Sequence, residues 1–292
     1  MRVGLHALGI GACARPEVIR AVAIAAEAAG FATLWAGEHV VLVDQPTSRY
    51  PYSADGRIAV PADADWLDPL LALSFAAATT TTIGLATGVL LLPEHNPVVA
   101  AKQAATLDVL SAGRLTLGIG IGWSAEEFAA LGVPFLRRAQ RTAEYVAAMR
   151  TLWANDVASF TGEFTRFDSV RVNPKPVRNG RIPIVLGGNS DASLTRVATF
   201  GDGWYGFNLP VAAVPERLAT LTEHCKLHNR NPSDLAISVA LSDATPADLP
   251  DLAEIGITEL VLVAAPPPDP TAAPTWIRDL ASQWAVTPTQ VH

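Results

Sequence analysis

The stretch Arg114-Leu-Thr-Leu-Gly-Ile-Gly-Ile-Gly-Trp-Ser-Ala-Glu-Glu-Phe128 decides how this chain is read. Leu115 to Leu117 suit the interior of a buried strand, and the strand runs into glycines at every second position, Gly118, Gly120 and Gly122. Lacking a Cβ, such glycines let backbone come close to a ligand, or allow tight packing alone. Ser124 stands as an N-cap with Glu127 at capping-box spacing, so a helix opens there. Strand, glycine loop and helix N-terminus together form a candidate anion or cofactor site. The run is not a dinucleotide fingerprint, because no acidic residue closes a following strand about 20 residues later.

Working outward, strands and helices alternate. Val3 to Leu8 reads as a strand, and Pro16 opens a helix with Val18, Val22, Ala25, Ala26 and Ala29 on one face, stopped by Gly30. Phe31 to Gly37 reads as the next strand. Gly9, Gly11 and Ala14 imitate G-x-G-x-x-A, with Glu38 placed like a ribose-binding acid. Pro16 spoils that match, since it pushes Arg15 out of the helical region and the helix starts too late. Residues 42–66, with Tyr50, Tyr52 and three prolines, follow neither period and read as a long loop, of the kind that is a functional lid or disordered.

A helix from Asp68-Pro69 to Ala78, a strand at 82–89 and a helix at 97–111, capped by Asn96 and ended by Gly113, lead back to Arg114. Beyond Ser124 come a helix at 138–153, a hairpin about Gly162, and a strand Ile182 to Leu186 running into Gly187-Gly-Asn-Ser190. Helices at 191–200, 215–228, 247–255 and 275–284 alternate with strands at 203–207, 235–240 and 259–263. Eight strand–helix pairs and no visible linker predict an α/β fold, a (β/α)8 TIM barrel over residues 1–292 as one domain, with insertions after strands 2 and 4. The functional site of such a barrel lies at the C-terminal strand ends. That places His6, Glu38, His39, Thr87, Gly88, Gly120, Gly122, Trp123, Gly187, Gly188, Asn189, Ser190, Phe207 and Asn208 at the site.

The net charge of −7, the pI near 5.3 and the lack of a basic run exclude a nucleic-acid footprint. No apolar run approaches the ~20 residues that span a bilayer, and the N-terminus has no signal-like core. Cys13 and Cys225 are too few for a disulfide framework and lack a second ligand set for zinc, so a soluble cytoplasmic protein without a metal is expected.

The chain resembles the luciferase-like monooxygenase superfamily of flavin and deazaflavin oxidoreductases. The resemblance is carried by Arg114 to Trp123, by Phe164 with Asn173-Pro-Lys-Pro-Val177, by Pro183-Ile-Val-Leu-Gly-Gly188 and by Gly201-Asp-Gly-Trp204, in the family's order. Leu34-Trp-Ala-Gly-Glu-His-Val40 and Arg49-Tyr-Pro-Tyr-Ser-Ala-Asp-Gly56 are similar to the branch using coenzyme F420, whereas FMN-using members often carry two adjacent histidines where this chain has His39 and Val40. What the resemblance implies is an F420-dependent oxidoreductase moving a hydride between the deazaflavin and a small organic substrate, as a homodimer. The alternatives are an FMN-dependent monooxygenase using molecular oxygen and a non-catalytic flavin-binding barrel.

By the same resemblance, His39 is the candidate proton donor or acceptor, since imidazole titrates near neutral pH. The bland reading is a rim histidine bonded to a loop. Glu38 would orient His39 or contact the ring, or else make a barrel-end salt bridge. Thr87, Gly88 and Val89, with Gly120, Gly122 and Trp123, are cofactor-binding candidates, and the bond matching the family's cis peptide is Gly88–Val89. Gly187, Gly188, Asn189 and Ser190 would hold a phosphate at a helix N-terminus, or form a plain turn. Arg171, Lys175, Arg178 and Arg181 would meet the polyglutamate tail of F420, or be ordinary surface charge. Tyr50, Tyr52 and Trp66 would close over an apolar substrate, or stand as a fixed wall.

Overall fold

The computed structural model describes residues 1–6 and 8–287. The chain begins with β1 (Arg2–His6), α1 (Pro16–Ala29), β2 (Thr33–Ala36), α2 (Pro69–Ala77), β3 (Gly84–Thr87), α3 (Pro97–Leu110) and β4 (Leu115–Ile119). An insertion follows, made of α4 (Ala125–Ala130), α5 (Arg138–Ala154) and the hairpin β5 (Ala158–Thr161) and β6 (Arg166–Val170). The alternation resumes with β7 (Ile184–Gly187), α6 (Asp191–Phe200), β8 (Gly203–Leu209), α7 (Val214–Leu227) and β9 (Ala236–Leu241). It ends with α8 (Leu249–Glu254), β10 (Glu259–Val263) and α9 (Ala273–Gln283).

The strands close into a barrel in the order β1-β10-β9-β8-β7-β4-β3-β2, with β5 and β6 as a separate pair. This is the expected (β/α)8 barrel with insertions after its second and fourth strands, and a closed ring leaves no place for an open dinucleotide-binding sheet. Residue 7, inside the strand expected at 3–8, lies outside the described residues.

Local chemistry sets most element ends. Gly30, at φ 91°, closes α1, and the Asn96 side chain accepts from Val98 N at 2.9 Å to start α3. Ser124 Oγ accepts from Glu127 N at 3.2 Å and starts α4. The reciprocal half of that capping box does not form, because the Glu127 side chain turns elsewhere. Strand alternation sends Leu34 outward into a large core shared with the helices and Trp35 inward. Inside the barrel Trp35 stacks on Tyr205 at 4.6 Å and 12°, packed with Ala86, Val185, Ala240 and Val261. Arg114 fastens the outer layer, donating to the carbonyls of Ala77, Thr80, Ile83 and Ser111.

The glycines of the deciding stretch make room for protein. A Cβ on Gly118 would strike the Thr87 carbonyl, and one on Gly120 would stand 2.5 Å from Val89 Cγ2. At Gly122, φ is +74° and a Cβ would lie 2.5 Å from the Phe128 ring. Neighbouring strand and helix atoms take the Cβ space at all three positions, which is the tight-packing reading of these glycines.

Among the described residues no helix is long and apolar enough to cross a membrane. Replacing Gly118 by Ala overpacks a backbone contact that cannot yield, and we expect a loss of about 3 kcal/mol in urea unfolding. An unchanged midpoint would show that β3 and β4 can separate without cost.

Candidate active site

The end of β2 delivers Gly37, Glu38 and His39 to the barrel mouth. His39 is held by Glu127, whose Oε2 lies 2.8 Å from His39 Nδ1, while its Oε1 accepts from Val40 N at 2.7 Å and Val41 N at 3.2 Å. A carboxylate at Nδ1 fixes the proton there and leaves Nε2 to accept or donate. Trp66 and Trp123 stand edge-on to the imidazole at 5.0 and 5.8 Å. Glu127 is the site residue that sequence reading assigned to helix capping only.

Glu38 does not orient His39. Its carboxylate takes Leu91 N at 2.6 Å and lies 2.9 Å from His95 Nε2, so this second acid serves a different histidine. Burial opposes a charged His95, but the hydrogen bond to Glu38 and its charge outweigh burial, and His95 titrates above the ordinary histidine value. Next to it Glu94 is buried with no hydrogen-bond partner for either carboxyl oxygen among the described residues. Burial, then the charges of Glu127 and Glu38, push its carboxyl up to about 9.

Deeper in the mouth, His6 Nδ1 is 3.1 Å from the Tyr205 hydroxyl, and burial pushes His6 down to about 4, so the ring is neutral at pH 7. The Gly88–Val89 peptide is cis. A Cβ on Gly88 would lie 3.1 Å from Trp35 and 3.3 Å from His6, and the Val89 side chain fills the Cβ space of Gly120 and of Gly187. Thr87 is turned away, its hydroxyl donating to Gly118 O at 2.7 Å.

At the end of β7, Gly188 takes φ +114°, and its carbonyl accepts from Trp204 Nε1 at 2.8 Å. Asn189 spends its side chain on β8, donating to Phe207 O at 2.7 Å and accepting from Phe207 N at 3.2 Å, so its amide is not free for a ligand. Ser190 Oγ caps α6 and lies 2.9 Å from Ser193 Oγ, which accepts from Arg196 at 2.9 Å. Arg138 reaches the same end of the barrel, donating to Gly122 O at 3.0 Å. Burial, then the charge of Arg138, lowers the pKa of the Arg196 guanidinium, and burial, then the charge of Arg141, lowers that of Arg138. Neither arginine has a carboxylate within 4.0 Å among the described residues. Two partly buried cations beside a serine-capped helix start make a cradle whose chemistry fits a phosphate.

The cations expected to meet a polyglutamate tail sit elsewhere. Lys175 caps α5 through Leu152 O at 2.7 Å, Arg181 pairs with Asp202, and all four precede β7, at the N-terminal end of the barrel. The site is at the other end, so that expectation is corrected. Beside His39, Trp123 and Glu127 lies a cavity of about 660 Å³ whose remaining walls are mostly the long loop itself, Val41, Arg49 and Ile58 among them.

A model of the luciferase-like monooxygenase family matches residues 3–254. An uncharacterized protein of Mycobacterium tuberculosis is 34% identical over 268 residues, 91% of this chain and 93% of the relative. The crystal structure of monooxygenase RslO1 from Streptomyces bottropensis superposes with a TM-score of 0.75 at 20% identity, covering 98% of this chain and 99% of that one. The coenzyme F420 dependent tetrahydromethanopterin reductase from Methanopyrus kandleri gives 0.74 at 15% identity over 97% of each chain. At these identities the two structures speak for the fold.

The Glu94 carboxyl has a pH signature. Between its ordinary value of 4.5 and about 9 the native state keeps a proton that the unfolded chain has released, so stability falls as pH rises through that window. Glu94→Gln removes the dependence: thermal melts at about pH 8 should rise by several degrees while those near pH 4.5 stay put. Equal shifts at both pH values would refute a proton held on Glu94.

Proposed function

Because the chain belongs to the luciferase-like monooxygenase family, we propose that it is an F420-dependent oxidoreductase acting on a small organic substrate in the cavity beside His39. The observation that carries this is the His39–Glu127 pair, an imidazole with one nitrogen fixed and the other free, at the edge of that cavity. Bound at the barrel mouth, the deazaflavin would supply a carrier of two electrons as hydride. The chain's own residues supply the rest. His39 Nε2 gives or takes the proton that accompanies transfer, and Glu127 keeps the ring in the tautomer that allows it. Trp66 and Trp123 keep water from the imidazole faces. Arg138, Arg196, Ser190 and the start of α6 hold the cofactor phosphate.

A phosphate is common to F420 and FMN, so the cradle favours neither. Support for the deazaflavin comes from Val40, which stands where FMN-using members often carry a second histidine. Two buried free thiols, Cys13 and Cys225, suit the reducing cytoplasm we propose for it. A second copy of the chain is proposed to cover Leu71, Phe75 and Val99, which expose 70, 37 and 53% of their surface on adjoining helices α2 and α3.

Titration with F420 and with FMN, followed by ligand fluorescence, should show tighter binding of F420. Arg196→Ala should weaken that binding about 10- to 100-fold, and a preference for FMN would turn the reading toward oxygen chemistry. His39→Ala should leave binding in place and lower turnover about 10²- to 10⁴-fold, and unchanged turnover would remove His39 from the chemistry. Light scattering after size exclusion should report a dimer that Leu71→Asp converts to monomer.

A further inference from the structure

Residues 41–65 form no helix or strand, yet they carry two tyrosines into the barrel mouth. Tyr52 packs edge-on against Phe207 at 5.4 Å, and Tyr50 meets Tyr52 at 5.4 Å and Trp123 at 5.3 Å. The Tyr52 hydroxyl stands 3.7 Å from the place of a Cβ on Gly188, and Ser193 Oγ, which accepts from Arg196 at 2.9 Å, stands 2.5 Å from the same point. A hydroxyl of the loop thus borders the cradle assigned above to a phosphate. Phe207, on which Tyr52 packs, lies 6.1 Å from the buried Tyr205 ring, so the loop tyrosine reaches the inner layer of the barrel through it.

The middle of the segment is held lightly. Asn208 Nδ2 donates to Tyr52 O at 2.6 Å, and Ser48 Oγ accepts from Ala125 N at 3.0 Å. Glu126 Oε1 accepts from Thr47 N at 2.7 Å, Thr47 Oγ1 at 2.5 Å and Ser48 N at 3.0 Å. Thr47 and Asn208 are exposed, and water can replace such bonds at small cost. The roots are firmer: Val40 and Val41 are tied to the buried Glu127, while Trp66 Nε1 donates to Gly37 O at 3.0 Å and Leu67 N to Gly9 O at 2.8 Å.

Resting on the cofactor reading above, we propose that residues 41–65 are a strap whose Tyr50 and Tyr52 fill the cofactor seat in the free protein. A phosphate-bearing flavin or deazaflavin enters only after the strap lifts about its fixed roots. The phosphate then takes the place of the Tyr52 hydroxyl beside Arg196, and the strap closes over the ligand. Entry is a two-step process limited at high ligand concentration by lifting.

Stopped-flow mixing with F420 and with FMN, followed by ligand fluorescence, tests this on the whole protein, with circular dichroism verifying the fold of each variant. In the parent the observed binding rate should level off as ligand concentration rises. Glu126→Ala, which removes the oxygen that accepts all three latch bonds, should raise that plateau about 10-fold, and Tyr50→Ala/Tyr52→Ala should abolish it and leave a linear dependence. A parent with no plateau, or a plateau that neither variant moves, overturns the strap and makes the tyrosines a fixed wall while the cofactor reading stands. Binding of neither ligand by any of the three proteins overturns the cofactor reading and the strap with it.

Discussion

The two carboxyl oxygens of Glu127 are buried and receive His39 Nδ1 and the amides of Val40 and Val41. An acid taken out of water without such donors would cost several kcal/mol, so the protein must keep all of them in place. That requirement joins three pieces of chain: the end of β2, the root of the long loop, and the first turn of α4. The direction in which His39 faces, and the point from which residues 41–65 depart, both follow from it. Ser124 fixes the same turn from the other side by capping the amide of Glu127.

A second acid, Glu38, does for His95 and Leu91 what Glu127 does for His39, on the next strand round the barrel. The two pairs differ in what they stabilise. His95 gains charge from its partner, whereas His6, hydrogen-bonded only to the neutral Tyr205 hydroxyl, loses it to burial. Below about pH 6.5 the unfolded chain would protonate His6 and the native state would not until about pH 4, so this residue works against stability in acid. Glu94 works against it on the alkaline side. The mouth is thus a place where the barrel gives up stability to keep polar groups available, as functional sites commonly do.

The elements were legible because their ends are chemical events: Pro16, Gly30, Asn96, Ser124 and Ser190 act within a few residues of themselves. Strict alternation then left a closed parallel barrel as the natural arrangement, and barrel topology pointed to the correct rim. Partners across the rim were not legible. Glu127 looked like a capping-box acid because both roles suit a carboxylate at that spacing, and only the fold brings β2 alongside it. Arg138 and Arg196 lie on different helices with no motif between them. Arg171 to Arg181 precede the phosphate-loop glycines closely in sequence, but a chain that runs up a strand and down a helix puts neighbours in sequence at opposite ends of the barrel.

Val89 fills the space that a Cβ would occupy on both Gly120 and Gly187. One isopropyl group therefore stands in for two absent side chains from the ends of β4 and β7, and the floor of the mouth is a single three-residue piece of packing. A side chain on either glycine has no room unless the residue at 89 is smaller, and a smaller residue at 89 alone opens a hole between β4 and β7. The shape of the floor therefore rests on the three side-chain volumes taken together, not on any one of them.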